Sequence, residues 1–173
     1  MDISKIGYGK NPDAVMAVIE IPYMSNIKYE IDKDSGAVVV DRVMYSAMFY
    51  PANYGFVPNT LSNDGDPADI LVLNEYPLQA GSVIKCRLIG VLVMEDESGQ
   101  DEKLLAVPVS KIDPRYDNIQ SIDDLPKITV DRIRNFFETY KMLEPNKWVK
   151  VKGFEDKASA TKILEDAIQA CTK

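Results

Sequence analysis

Three aspartates crowd into the six residues of the segment DGDPAD, and an apolar run follows at once: Asp64, Asp66 and Asp69. Carboxylates this close repel one another, so their spacing is costly unless cations offset it. Gly65 permits a tight bend and Pro67 stiffens it. The segment is either a solvated turn whose aspartates cap backbone groups, a calcium loop, or a catalytic metal centre.

A second acidic cluster lies in the segment MEDESGQDEK at 94–103. A polar turn around Ser98 and Gly99 joins two strand-like runs and predicts a hairpin that brings Asp96 near Asp101. Alternation places Asp101 and Lys103 on one face. An acidic hairpin tip alone is typical of a solvated turn. Together with 64–69, however, it suggests a shared cation site, whereas the strand-like run ILVLNEY fits a calcium-binding EF-hand poorly.

The absence of histidine narrows the chemistry more than any other feature of composition. It excludes catalysis by serine–histidine or cysteine–histidine pairs and the zinc-hydrolase motifs. Oxygen ligands remain, and these favour Mg²⁺, Mn²⁺ or Ca²⁺. The net charge of −7 repels nucleic acid and other polyanions, so a polyanionic substrate requires metal ions or a local basic cluster.

Charged residues interrupt strand-like runs at four positions. Lys28 and Glu30 project from the same face of NIKYEID, which alone indicates a solvated face with a weak ion pair. Glu20 shares a strand face with apolar residues, and so does Arg42 in AVVVDRVMY. Isolated charges on apolar faces are costly unless paired. The combination therefore predicts a cavity lined by polar groups.

The elements that must position these residues are strands first and helices afterwards. Strands are predicted at 14–21, 26–32, 37–45, 69–76, 82–95 and 102–110, with an irregular segment at 48–65. Helical spacing follows between Pro126 and Pro145 and again over 158–171. This order predicts an α+β fold with a strongly curved or closed antiparallel sheet and helices packed outside it.

Length and composition predict one domain spanning residues 1–173. No targeting pattern or membrane-length apolar run is present, so a cytoplasmic location without a membrane partner is expected. The cysteines, Cys86 and Cys171, lie in apolar stretches and are expected to be core residues.

Several motifs, in order from Glu20 to Phe154, resemble soluble family I inorganic pyrophosphatases of the bacterial type. They are YPANYGFVPNT, DGDPADI, MEDESGQDEK, ETYK and EPNKWVKVKGF. Ala68 departs from the signature, which usually has a larger aliphatic residue there, and we expect the change to affect packing only. The resemblance implies a five-stranded OB-like antiparallel β-barrel with two principal α-helices packed outside. It also implies hydrolysis of pyrophosphate to two phosphates with several Mg²⁺ ions, Mn²⁺ or another divalent ion being possible substitutes, and assembly into a homohexamer.

The resemblance further implies a role for each site residue. Asp66 would accept the proton of the attacking water. Metal ligands would be Asp64, Asp69 and Asp101 for the tightest ion, with Asp96 for others, while Glu20, Glu30 and Glu97 would hold coordinated water. The phosphates would be bound by Lys28, Arg42, Tyr50, Tyr54, Lys103, Tyr140 and Lys141. The residues alone leave the tyrosines ambiguous, since Tyr140 lies on an apolar helix face and the other two in a broken segment.

Two alternatives from other classes remain. A non-catalytic Ca²⁺-binding module would prefer Ca²⁺ and release no phosphate. A nucleic-acid binder with an OB-type sheet is suggested only by the strand content and aromatic residues, and the acidic charge disfavours it.

Overall fold

The computed structural model describes residues 2–32 and 34–172. Its strands are β1 (Gly9–Lys10), β2 (Ala14–Ile21), β3 (Ile27–Ile31), β4 (Val38–Val43), β5 (Asn53–Phe56), β6 (Asp69–Val72), β7 (Val83–Asp96), β8 (Gly99–Pro108) and β9 (Val149–Glu155). Its α-helices are α1 (Lys127–Thr139) and α2 (Lys157–Cys171), and short 3₁₀ turns lie at Ile3–Lys5, Pro114–Tyr116 and Ile122–Asp124. No helix within this described part is long and apolar enough to cross a membrane.

Five strands close into a barrel. The sheet runs β1-β2-β5-β6-β8-β7-β9, and an additional pairing of β2 with β7 joins the ends of the inner five. The predicted five-stranded barrel is thus confirmed. The barrel is not entirely antiparallel as predicted. Strands β6 and β8 are parallel, and their register pairs Asp69 with Lys103. This pairing sets the two side chains at the same level of the barrel.

The two helices cover opposite apolar clusters of the sheet. α1 buries Ile133, Phe136 and Phe137 in a cluster that contains Tyr50 and Tyr140. α2 buries Ala160, Leu164 and Ala167 against the other cluster. The alternation of side chains along each strand separates the clusters, because successive residues point to opposite faces.

β3 and β4 form a two-stranded sheet of their own, which we call the ribbon. Its register pairs Lys28 with Arg42, and an irregularity follows between Lys28 and Tyr29. The apolar face that Arg42 shares with Val38 and Val40 is largely exposed, since Val38 is 41% and Val40 61% exposed. A two-stranded ribbon has too little covering surface to bury both of its faces.

Several other sequence-based expectations need correction. β5 lies inside the segment predicted to be irregular. A Cβ at Gly55 would stand 1.9 Å from the carbonyl oxygen of Val18, so close strand packing requires glycine there. β9 was not predicted at all. Cys86 is buried as expected, but Cys171 is exposed at the end of α2.

Candidate active site

Two adjoining cavities open at one end of the barrel, with volumes of about 640 and 390 Å³. Lys28, Tyr54 and the aspartates at 64, 66 and 69 line both of them. The larger cavity also has Glu20 and Glu30 in its wall. The smaller one is lined further by Arg42, Tyr50, Asp96, Glu97, Asp101, Lys103, Tyr140 and Lys141. Every site residue predicted from the sequence therefore reaches this double cavity.

The aspartate loop at 61–68 is held by its own backbone. The Ser62 N–H donates to the carbonyl of Asp66 at 2.7 Å, and the Gly65 N–H donates to the carbonyl of Ser62 at 3.1 Å. Gly65 has a φ of +90°, a conformation that glycine adopts without a steric penalty. The Asp66 N–H donates to Oδ1 of Asp64 at 3.0 Å. The loop thus presents both carboxylates at the cavity. Ala68 is buried in the core beside it.

The barrel contributes a fixed group of charges, Asp69, Asp101 and Lys103, which we call the barrel wall. Lys103 is 4% exposed, and its Nζ donates to Oδ2 of Asp69 and to Oδ1 of Asp101. Burial opposes the charge of Lys103, but the two carboxylates outweigh it and raise the pKa of the ammonium. Burial raises the pKa of Asp101, and Lys103 offsets this only in part.

The tip of the β7–β8 hairpin forms a second charged group with the chain that follows α1. The hairpin pairs Asp96 with Gly99 and Met94 with Asp101. Lys141 Nζ lies 2.7 Å from Oδ2 of Asp96 and 3.7 Å from Oε1 of Glu97. Burial alone would raise the pKa of Glu97, but its hydrogen bond from Lys147 and the nearby ammonium groups lower it to about 2. Glu97 therefore stays ionised.

The ribbon contributes Lys28, Glu30 and Arg42, which we call the ribbon wall. Lys28 Nζ lies 2.5 Å from Oε1 of Glu30 and 3.5 Å from Oδ2 of Asp41. Arg42 donates through Nη1 to Asp41 at 2.6 Å and through Nη2 to Oε1 of Glu144 at 3.1 Å. Its Nε is buried and has no hydrogen-bond partner among residues 2–32 and 34–172. The guanidinium thus has one donor without an acceptor among these residues, and the Arg42 side chain lines the smaller cavity.

Glu20 joins the ribbon to the barrel. Its Oε1 accepts a hydrogen bond from the N–H of Ile31 at 3.0 Å. Burial raises the pKa of Glu20 to about 7; that hydrogen bond opposes the rise, and the negative charges of Asp69 and Glu30 add to it. A carboxyl group with this pKa changes its charge near neutral pH.

The three tyrosines are packed and also line the cavity. Tyr50 is almost fully buried, with its ring centroid 5.7 Å from that of Tyr54 and 4.8 Å from that of Phe136. Tyr140 stacks on Phe136 at 5.1 Å. Burial raises the pKa of each tyrosine above its usual range. Their hydroxyl groups therefore stay protonated and can donate hydrogen bonds.

The donor set suits a hard divalent cation. Among the described residues, no three carboxylates lie close enough together to enclose an ion in this conformation. The Lys103 ammonium nevertheless occupies the space between Asp69 and Asp101, which shows that a positive charge is stabilised at that point. The chain has no histidine, so the ligands available are oxygens, which Mg²⁺, Mn²⁺ and Ca²⁺ prefer.

Comparison with known proteins identifies the family. The family model described as inorganic pyrophosphatase matches residues 17–172. The chain is 72% identical over 169 residues to the inorganic pyrophosphatase of Campylobacter jejuni, with 98% of each chain covered. The chain belongs to the inorganic pyrophosphatase family. Solved structures agree. The Helicobacter pylori inorganic pyrophosphatase superposes with a TM-score of 0.95 at 63% identity, covering 98% of this chain and 99% of that one. The Thermus thermophilus inorganic pyrophosphatase also gives 0.95, at 44% identity over the whole of both chains.

Membership of the inorganic pyrophosphatase family identifies the chain as an enzyme. Inorganic pyrophosphatases hydrolyse pyrophosphate to orthophosphate with a divalent metal ion, and the chain matches that family over nearly its whole length. The resemblance inferred from the sequence motifs is thus confirmed.

Sequence reasoning missed some residues that lie at the cavity. Lys147 and Ser98 line it, and Asp41 and Glu144 hold Arg42. Lys147 and Glu144 belong to a segment whose motif was recognised, but their side-chain partners lie far away in the chain. The residue types were therefore visible in the sequence, but the spacing along the chain could not show which residues they contact.

Proposed function

We propose that the double cavity hydrolyses pyrophosphate by in-line attack of water, with Asp66 as the base and Mg²⁺ as the metal. One observation carries this proposal: carboxylates and cations line the same cavity in an acidic chain. The carboxylates suit metal ions, and the cations suit the phosphates that those ions accompany. Phosphoryl transfer needs mainly positioning and charge neutralisation, which such a cavity supplies.

The side chains that would bind phosphate are donors on three sides of the cavity. Lys103 comes from the barrel wall, Lys28 and Arg42 come from the ribbon wall, and Lys141 follows α1. The hydroxyls of Tyr50, Tyr54 and Tyr140 add neutral donors. Fixed donors on several sides hold the diphosphate in one orientation, which reduces the entropy cost of reaching the transition state.

Asp66 is the residue proposed to accept the proton of the attacking water. A water oxygen would form a bond to one phosphorus while the bond from that phosphorus to the bridging oxygen breaks, giving two orthophosphates. Because Asp66 lines both cavities, one of its carboxylate oxygens can face a water beside bound pyrophosphate. The neighbouring lysines stabilise the charge that builds up on the departing phosphate.

Asp64, Asp69, Asp96 and Asp101 are the residues proposed to hold Mg²⁺, with Glu20, Glu30 and Glu97 binding water around it. When bound, Mg²⁺ would neutralise charge on the phosphates and lower the pKa of coordinated water. Lys103 now neutralises Asp69 and Asp101. These carboxylates would exchange the ammonium for the ion and free Lys103 for a phosphate oxygen.

The test is phosphate release from pyrophosphate with Mg²⁺, with Ca²⁺ and with a chelator, in the wild type and in Asp66→Asn. The substitution removes the base but keeps the size of the side chain, so kcat should fall by about 10²–10⁴-fold. Asp166→Asn is the matched control, because Asp166 is an exposed α2 residue paired with Lys162 at 2.6 Å. It should keep wild-type turnover.

Near-normal turnover in folded Asp66→Asn would remove Asp66 as the base and leave the reaction in place. Release of no phosphate by the folded wild type with any metal would contradict the reaction itself. Tight Ca²⁺ binding without any hydrolysis would instead support a non-catalytic calcium module.

The cellular setting and assembly belong to the same proposal. We expect a single catalytic domain over 1–173, a cytoplasmic location and a homo-oligomer, which family resemblance makes a hexamer. Light scattering after size-exclusion chromatography measures the oligomeric mass directly, and a monomeric mass at micromolar concentration would contradict the last expectation.

A further inference from the structure

Glu144 links the ribbon wall to the chain after α1, because its side chain pairs with Arg42, which lines the cavity. The two residues of this contact, Arg42 and Glu144, are 102 positions apart. Glu144 lies in the segment 140–147, which we call the 140–147 turn and which also carries Lys141 and Lys147. The Glu144–Arg42 pair therefore crosses from one side of the cavity to another.

Burial makes this pair stronger than a typical surface ion pair. The Glu144 side chain is 8% exposed, and Arg42 is the only cation within ion-pair distance of it among the described residues. A carboxylate so shielded from water needs a partner, and a charge-assisted hydrogen bond supplies one. Burial opposes the charge of Arg42, but Glu144 and Asp41 outweigh it and raise the pKa of the guanidinium.

Asp41, the other partner of Arg42, cannot link the ribbon to the chain after α1. It neighbours Arg42 in the sequence and moves with the ribbon, so its hydrogen bond fixes the guanidinium only relative to β4. Glu144 belongs to a different element. Its bond fixes the guanidinium relative to Lys141, whose carbonyl accepts the Glu144 N–H at 2.9 Å. The Glu144 bond therefore ties Arg42 to the segment that carries Lys141, whereas the Asp41 bond does not.

We propose that Glu144 is a positioning residue that holds Arg42, and with it the ribbon wall, at the spacing from Lys141 that bound pyrophosphate requires. This inference rests on the proposed function, because it takes Arg42 and Lys141 as phosphate-binding groups. Arg42 also lines the smaller cavity, so its side chain contacts both Glu144 and the space proposed for the substrate. Glu144 itself touches no substrate.

The side chain can be tested without disturbing the turn. The Glu144 N–H bonds to Lys141, and the Glu144 carbonyl accepts the Lys147 N–H at 3.3 Å. Both bonds are made by backbone atoms and survive substitution. Glu144→Ala removes the contact with Arg42, whereas Glu144→Gln keeps an oxygen acceptor and loses only the charge. Glu138→Gln is the matched control, because Glu138 forms an exposed pair with Arg134 at 3.8 Å.

The measurements are KM and kcat for pyrophosphate with Mg²⁺, and calorimetric binding of imidodiphosphate, whose bridging nitrogen replaces oxygen. Loss of one charge-assisted hydrogen bond should raise KM and the imidodiphosphate Kd about 10-fold in Glu144→Ala, with kcat within about 3-fold. Glu144→Gln should restore about half of the loss on a logarithmic scale, and the control should match the wild type. In an Arg42→Ala background, Glu144→Ala should add less than about 2-fold, because the partner is already gone.

Four results would overturn the inference. They are an unchanged KM and Kd in Glu144→Ala, a lowered KM, a fall in kcat alone, and an equal effect in the Arg42→Ala background. If Glu144→Ala does not fold, Glu144→Gln and the double variant Arg42→Ala/Glu144→Gln give the same comparison. Failure of the proposed function is distinguishable, because the wild type would then release no phosphate, whereas imidodiphosphate binding still reports on the pair.

Discussion

The barrel wall and the ribbon wall carry similar charges, but their side chains are held in place in different ways. On the barrel wall, Lys103 lies in a closed barrel, is almost fully buried and bonds to two carboxylates on hydrogen-bonded strands. On the ribbon wall, Lys28 lies in a separate two-stranded sheet, and the side chain of its partner Glu30 is 48% exposed. Water screens the second group of charges more than the first.

The difference separates two ways of positioning charge. The strand register holds the barrel wall in place, since parallel β6 and β8 set Asp69 opposite Lys103. Within residues 2–32 and 34–172, the ribbon has no strand pairing with the barrel. Its position relative to the rest of the cavity depends on side-chain contacts, which include the packing of Ile31 with Val18 and Phe56, the bond from the Ile31 N–H to Glu20 and the bond of Glu144 with Arg42. The barrel wall should therefore contribute to stability, and the ribbon wall mainly to substrate affinity.

The largest effect on stability is expected from Lys103→Met. It leaves Asp69 and Asp101 facing each other without their shared cation, and removal of one partner from a buried ionic group costs about 3 kcal/mol. Urea unfolding of the metal-free protein at pH 8 measures the loss. Added Mg²⁺ should restore part of it, because an ion at 100 times its Kd stabilises the folded state by about 2.7 kcal/mol.

Two outcomes would contradict this account of the barrel wall. One is a loss below about 1 kcal/mol, the range typical of surface pairs. The other is full destabilisation that Mg²⁺ does not relieve, which would mean that the space between the two carboxylates does not take a cation. Asp166→Asn, which alters an exposed pair on α2, controls for the loss of a surface charge.

The elements that could be predicted are those that bury one face in a regular pattern. Alternating apolar residues predicted β2 with its observed bounds, and helical spacing predicted α1 and α2 closely, because burial of one face imposes a period. β9 was missed, since its residues VKVKGFE carry lysines on an exposed face and resemble a polar segment. β5 was missed because Pro51 and Gly55 indicate a loop, although close contact with Val18 requires that glycine.

For the site, resemblance to a family supplied the residues and the structure supplied their grouping. Alternation correctly placed Lys28 and Glu30 together, since that is a property of one strand. The partner of Arg42 could not be predicted in this way. Glu144 lies 102 positions away, and only the tertiary fold brings the ribbon beside the 140–147 turn. Contacts between elements are thus the part that spacing along the chain leaves undetermined.

An intermediate effect is expected from Glu20, which lies where the ribbon meets the barrel. Its pKa is raised to about 7 from an unfolded value of 4.5, mainly by burial. The folded state therefore binds the proton more tightly, and stability falls as pH rises from about 4.5 to 7. The loss approaches about 3 kcal/mol at complete ionisation. In metal-free Glu20→Gln this part of the pH dependence should disappear.

Urea unfolding at half-unit steps from pH 4.5 to pH 8, with chelator present, compares Glu20→Gln with the wild type. Glu138→Gln, an exposed carboxylate on α1, should leave the profile unchanged. Parallel profiles for Glu20→Gln and the wild type would show that Glu20 is not the group that titrates across this range.

The smallest stability effect, and the sharpest test of the comparison, is expected from Lys28→Met, the same substitution made on the ribbon wall. Lys28 and its partners are partly exposed, and pairs of this kind contribute less than about 1 kcal/mol. Urea unfolding should therefore barely change, while KM for pyrophosphate rises because a phosphate-binding cation is lost. If Lys28→Met instead destabilises the protein as much as Lys103→Met does, the ribbon unfolds together with the barrel. In that case its charges are held by the fold as a whole rather than by the contacts of Glu20 and Glu144.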